Sequence, residues 1–150
     1  MIIIDLPTID DIGELQKLAD NNRLGSYPSL MHGYLEFRRQ YKAYEDNGGD
    51  PFKVATTTVT DSDFKRALIN HFNQPPEGCL KFIPIFRREL SPLVCPMCGG
   101  FGNGTLDHYL PKDTYPEFSV FSKNLIPACN CNNLRGTTVK GTVPSVSTPT

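Results

Sequence analysis

Leu106-Asp107-His108-Tyr109-Leu110-Pro111-Lys112 leads through Tyr115-Pro116-Glu117-Phe118-Ser119-Val120-Phe121 to Asn124-Leu125-Ile126-Pro127-Ala128-Cys129. This stretch holds an Asp-His dipeptide and an Asn sixteen residues after the His. Its apolar runs, around Leu106–Leu110 and around Phe118–Phe121, lie between Gly, Pro and Asn turn formers and read as two short strands.

Two cysteine pairs flank it. Cys95-Pro96-Met97-Cys98 comes before, and Cys129-Asn130-Cys131 comes about thirty residues later. The CxxC spacing lets two thiolates reach one tetrahedral ion, and Gly99-Gly100 permits the tight turn around it. The CxC spacing is less usual and needs a different backbone turn, but both thiolates can still reach the same ion. A redox CxxC pair is expected to open a helix after a strand, whereas glycines come after Cys98. Structural Zn²⁺ on Cys95, Cys98, Cys129 and Cys131 is the favoured reading, with a redox pair or buried free thiols as alternatives. The fifth cysteine, Cys79, reads as a small buried apolar residue. An odd count with no export signal argues against a disulfide framework.

In combination, the Asp-His pair, the later Asn and the flanking cysteines resemble the HNH endonucleases, the beta-beta-alpha-metal finger nucleases. The resemblance covers roughly residues 93–140. It implies a zinc-stapled finger over 91–140. With a mostly helical N-terminal region (1–90) and an irregular tail (141–150), both read from the pattern of the chain itself, the expected fold is α+β. The resemblance also implies phosphodiester hydrolysis of nucleic acid, with DNA the expected partner, and a setting in bacterial or phage defence. By the family pattern His108 would be the general base and Asp107 a ligand of a catalytic Mg²⁺ or Mn²⁺. Asn124 would brace the loop and orient the His. Asn132, or Asn133 as the alternative, would supply the second metal contact. Asn132 stands directly after the last cysteine as the motif requires, while Asn133 keeps the usual distance from Asn124.

The chemistry explains these residue types. A neutral imidazole titrates near working pH and can take a proton from water. A hard divalent ion with oxygen ligands can polarise the phosphate and steady the leaving oxygen. Lys112 and Arg135 are candidates for phosphate contacts.

Ahead of the finger the pattern is helical. Ile9, Ile12, Leu15 and Leu18 recur every three residues behind Thr8 as a candidate N-cap, and Leu24-Gly25 ends the run. Leu30, Tyr34, Phe37, Tyr41 and Tyr44 make one apolar stripe, closed by Asn47-Gly48-Gly49. Asp61 or Ser62 caps a third helix carrying Phe64, Leu68, His71 and Phe72, and Pro84 starts or kinks a further segment from Leu80 to Leu90. His32 and His71 read as structural residues of these stripes. A short helix is expected from near Cys129, with Thr137-Thr138-Val139 favouring helix poorly.

The 150 residues carry a net charge of −1. Residues 1–90 have 11 Lys/Arg against 13 Asp/Glu, and residues 91–150 have 4 against 3. That balance lacks the basic excess of most nucleic-acid binders, so affinity must come from a local patch or a protein partner subunit. Ile2-Ile3-Ile4 is too short for a signal peptide or a spanning segment, and a cytoplasmic protein with no membrane partner is expected. A non-catalytic zinc module would need the cysteines but not Asp107, His108 and Asn124 together. A third reading, an inactive nuclease relic acting as a partner subunit, fits the short final helix and the near-neutral charge.

Overall fold

The computed structural model describes residues 6–89, 99 and 105–128. Cys95, Cys98, Cys129, Cys131, Asn132, Asn133, Arg135, the helix expected near Cys129 and the 141–150 tail all lie outside the described residues. The described chain is α+β, with helices and a two-stranded antiparallel sheet.

The first helix, α1 (Asp11–Asp20), begins later than the periodicity suggests. Asp10, not Thr8, is its N-cap, and the Asp10 carboxylate accepts from Gly13 N at 3.0 Å. It stops at Asp20 because Asn21 forms a turn of its own, accepting from Arg23 N at 3.0 Å. The next apolar stripe is divided at Gly33 into α2 (Ser29–His32) and α3 (Tyr34–Asp46). Leu30, Phe37, Tyr41 and Tyr44 are still all buried along it. Helix α4 (Ser62–Asn73) begins at Asp61, which caps Asp63 N at 3.0 Å. Pro84 ends a single turn, α5 (Phe82–Pro84), and the chain continues as a π-helical turn, Ile85–Glu89.

Strand β1 (Thr105–His108) pairs with β2 (Leu125–Ala128), with His108 opposite Leu125 and Asp107 opposite Ile126. The expected strand at Phe118–Phe121 does not form. Pro116–Phe118 and Ser122–Asn124 are 3-10 turns instead. A strand would expose every second residue, yet Phe118, Ser119, Val120 and Phe121 are all buried. Turning lets Phe118 and Phe121, three apart, reach the same partners. Pro127 is tolerated in β2 because a two-stranded sheet consists only of edges.

One apolar core runs through both regions, from Leu15 and Leu18 to Leu125. Tyr41 of α3 stacks on Phe121 with centroids 4.2 Å apart, and Tyr44 meets Phe118 and Phe121 edge-on at 5.0 Å. Each buried ring contributes roughly 2–3 kcal/mol. Polar ties cross the same seam. The Asp11 carboxylate accepts from Ser122 N at 2.8 Å and Ser122 Oγ at 2.6 Å, and Glu117 Oε2 accepts from Thr58 N at 3.1 Å. Burial raises the Asp11 carboxyl, the Ser122 bonds opposing it.

His71 is buried beside Ser26, with Nε2 and Oγ 2.8 Å apart. Burial lowers its pKa below the ordinary 6.5. The folded state therefore prefers the neutral ring, while the unfolded chain protonates near pH 6.5. The stability gained from the neutral form is complete above that pH and is lost as pH falls toward the lowered folded value. Melting temperatures measured from pH 7.5 to 5 should drop more steeply for the wild type than for His71→Gln. Parallel curves would refute the coupling.

Candidate active site

Strand alternation decides which way the Asp-His pair faces. Leu106 and His108 are buried on the core side of β1, while Thr105 and Asp107 lie on its other face. The pair is therefore divided between two faces. Asp107 Oδ1 accepts from the His108 backbone N–H at 2.8 Å, turning the carboxylate along the strand.

His108 is 4% exposed. Its Nε2 lies 2.8 Å from the Ser119 carbonyl oxygen. A carbonyl can only accept, so Nε2 carries the proton and Nδ1 is the basic nitrogen of the neutral ring. On one flank Phe72 of α4 meets the imidazole edge-on, with centroids 4.3 Å apart. The ring is thereby fixed in position, orientation and tautomer.

The loop from Tyr109 to Phe121 is held shut by Asn124. This side chain is fully buried. Its Oδ1 accepts from Leu110 N at 2.8 Å and Tyr44 Oη at 3.0 Å. Its Nδ2 donates to Leu110 O at 3.0 Å and Phe118 O at 3.2 Å. The backbone adds a Tyr109 N to Asn124 O bond at 2.9 Å. One carboxamide thus fixes both ends of the loop, and with it the Ser119 carbonyl that holds His108. Asn suits this position because it offers donors and acceptors from one short planar group.

Lys112, in the same loop, places Nζ 5.9 Å from the Phe72 ring centre. His108, Asn124 and Lys112 thus surround one loop, with Asp107 on the far face of β1. Ile126, across from Asp107, borders an open groove also lined by Tyr44, Glu45, Gly48, Tyr109 and Lys123. Among the described residues no group of three His, Cys, Asp or Glu could hold a metal ion, and every cysteine expected to bind zinc is outside that set. Cys79 is a buried free thiol.

For three contributors the part they play at this site is not readable in the sequence. The Ser119 carbonyl is backbone, which any residue type supplies. Phe72 and Tyr44 stand on helical stripes, and only the tertiary packing distinguishes them from other core aromatics.

No family model matches the sequence, and no solved structure does. Two curated proteins are similar to it. Protein ea31 of Escherichia phage lambda is 52% identical over 135 residues, covering 80% of this chain and 43% of ea31. Septu protein PtuB of Bacillus thuringiensis is 52% identical over 33 residues, covering 21% of this chain and 13% of PtuB. The chain therefore spans less than half the length of these relatives. A match covering 80% of the chain cannot fit within residues 1–90. The likeness to ea31 thus includes parts of both the helical region and the C-terminal third. No helix among the described residues is long and apolar enough to cross a membrane.

Proposed function

We propose that the chain is a metal-dependent endonuclease of the HNH type that hydrolyses nucleic-acid phosphodiesters. The observation that carries this reading is the fixed tautomer of His108. Donation from Nε2 to Ser119 O leaves Nδ1 as the proton acceptor. In the proposed reaction Nδ1 takes a proton from water as that water attacks phosphorus. The bond from phosphorus to the leaving oxygen breaks, that oxygen taking a proton from solvent. Asn124 acts as a positioning residue by holding the loop that carries Ser119.

Asp107 with Asn132 (or Asn133) would hold the catalytic ion. A carboxylate and a carboxamide are hard oxygen donors, which suits Mg²⁺ or Mn²⁺. When bound, that ion would supply Lewis-acid stabilisation of the phosphate and the leaving oxygen. Four thiolates from Cys95, Cys98, Cys129 and Cys131 form a donor set suited to structural Zn²⁺. The likeness to a phage protein and to a Septu protein supports a setting in phage–bacterium conflict.

The burial of His108 also fits a second reading, a non-catalytic zinc module in which the imidazole is only a core residue. Incubating supercoiled plasmid with the purified protein and Mg²⁺ or Mn²⁺ separates the two. Nicked or linear product is expected, and its absence with every nucleic acid tried would remove the nuclease reading. Elemental analysis of the same preparation should find one zinc per chain. A metal-free, folded protein would eliminate the staple.

A further inference from the structure

The Phe72 ring joins two segments distant in sequence, the turn that carries Arg87 and the strand and loop that carry His108 and Lys112. The His108 imidazole meets its edge at 4.3 Å, Lys112 Nζ lies 5.9 Å from its centre, and Arg87 Cζ lies 5.1 Å from its centre. Arg87 belongs to the π-helical turn Ile85–Glu89, which packs against β1. Such turns widen the backbone and often bring a side chain to a functional position.

From this arrangement we infer that Arg87 and Lys112 form a phosphate-binding site beside His108, built on Phe72, that takes the nucleic-acid backbone. The inference rests on the nuclease reading and extends it to a residue of the helical region.

An aromatic face holds a cation without neutralising it, whereas a carboxylate would cancel its charge. Ion pairs among the described residues engage Lys17, Arg39, Lys42, Arg66 and Lys123, and neither Arg87 nor Lys112 takes part. Both side chains are half-buried, and the exposed Arg88 lies close enough for its charge to act on Arg87. Burial and then the nearby Arg88 charge lower the Arg87 pKa, as expected for a guanidinium without an anionic partner. A guanidinium held against a ring keeps its N–H edge for two parallel bonds to phosphate oxygens. A chain of net charge −1 thus carries a local basic patch next to its candidate base.

The test is the salt dependence of binding. A fluorescein-labelled DNA duplex, a single-stranded DNA and an RNA are titrated by anisotropy without added divalent ion, across a NaCl series. On duplex, each lost phosphate contact lowers the slope of log K against log[NaCl] by about 0.9. Arg87→Gln should lose about one such step, and Arg87→Gln with Lys112→Gln about two. Arg87→Lys should keep the slope, and Arg38→Gln, an exposed cation over Tyr34, should leave it unchanged. Inorganic phosphate should compete only at millimolar concentrations or above if the site is built for the polymer. Melting curves identify any variant that fails to fold, and Arg87→Lys against wild type then stands with Lys112→Gln alone, expected at one step. An unchanged slope in folded Arg87→Gln, equal loss in Arg38→Gln, or no binding to any of the three nucleic acids overturns the site. Arg87-dependent binding without cleavage removes the nuclease reading and leaves the site. Cleavage by wild type with a slope indifferent to Arg87 does the reverse.

Discussion

Asn124→Ala is expected to lower stability by roughly 3–5 kcal/mol, enough to unfold a marginal domain. The carboxamide makes four hydrogen bonds and is fully buried. Deleting it strands Leu110 N and Leu110 O in the interior, while Phe118 O keeps the bond from Phe121 N and Tyr44 Oη keeps its bond to Lys123 O. A stranded buried polar group costs about 1–3 kcal/mol, and the losses in one network do not simply add. Asn124→Asp should also be damaging, because it keeps the acceptor but turns a carboxylate toward two carbonyl oxygens. Chemical denaturation with far-UV circular dichroism measures both. A midpoint equal to wild type in Asn124→Ala would mean that the carboxamide does not hold the loop.

The second large effect concerns His108 and is best read from two substitutions. His108→Ala removes the base but also abandons Ser119 O and the contact with Phe72, so lost activity could reflect lost structure. His108→Gln separates the two roles. The glutamine Nε2 can still donate to Ser119 O, but the amide has no basic nitrogen. His108→Gln should therefore melt close to wild type while plasmid cleavage falls about 10²–10⁴-fold, the range for a missing general base. Equal cleavage by wild type and a folded His108→Gln would end the assignment of the base.

The features legible in the sequence are local ones. Asp61 as a cap, the α4 stripe, the buried Tyr41 and Tyr44, and β1 around His108 all depend on neighbours a few residues away. The second strand is misplaced by the pattern because four consecutive apolar or small residues at Phe118–Phe121 look like a strand, and only burial on every side distinguishes the turn. Ser119 is invisible because its backbone makes the contact. Arg87 looks like surface charge because its partner, Phe72, becomes a neighbour only after folding. Asn124 is the intermediate case. The resemblance singles it out, but its bond to Tyr44 crosses 80 residues and cannot be read from the chain.

The Tyr44–Asn124 bond and the Asp11–Ser122 pair, which spans 111 residues, also bear on folding order. Contacts of such long sequence separation form only after intervening chain entropy has been surrendered, so they close late and slow the approach to the native state. The loop that orients His108 is latched by one of these distant contacts. A nascent chain can complete its helices early, yet the imidazole acquires its fixed tautomer only when Asn124 has emerged and docked. Assembly of the site should thus be one of the later folding events, completed when nearly the whole described chain is in place.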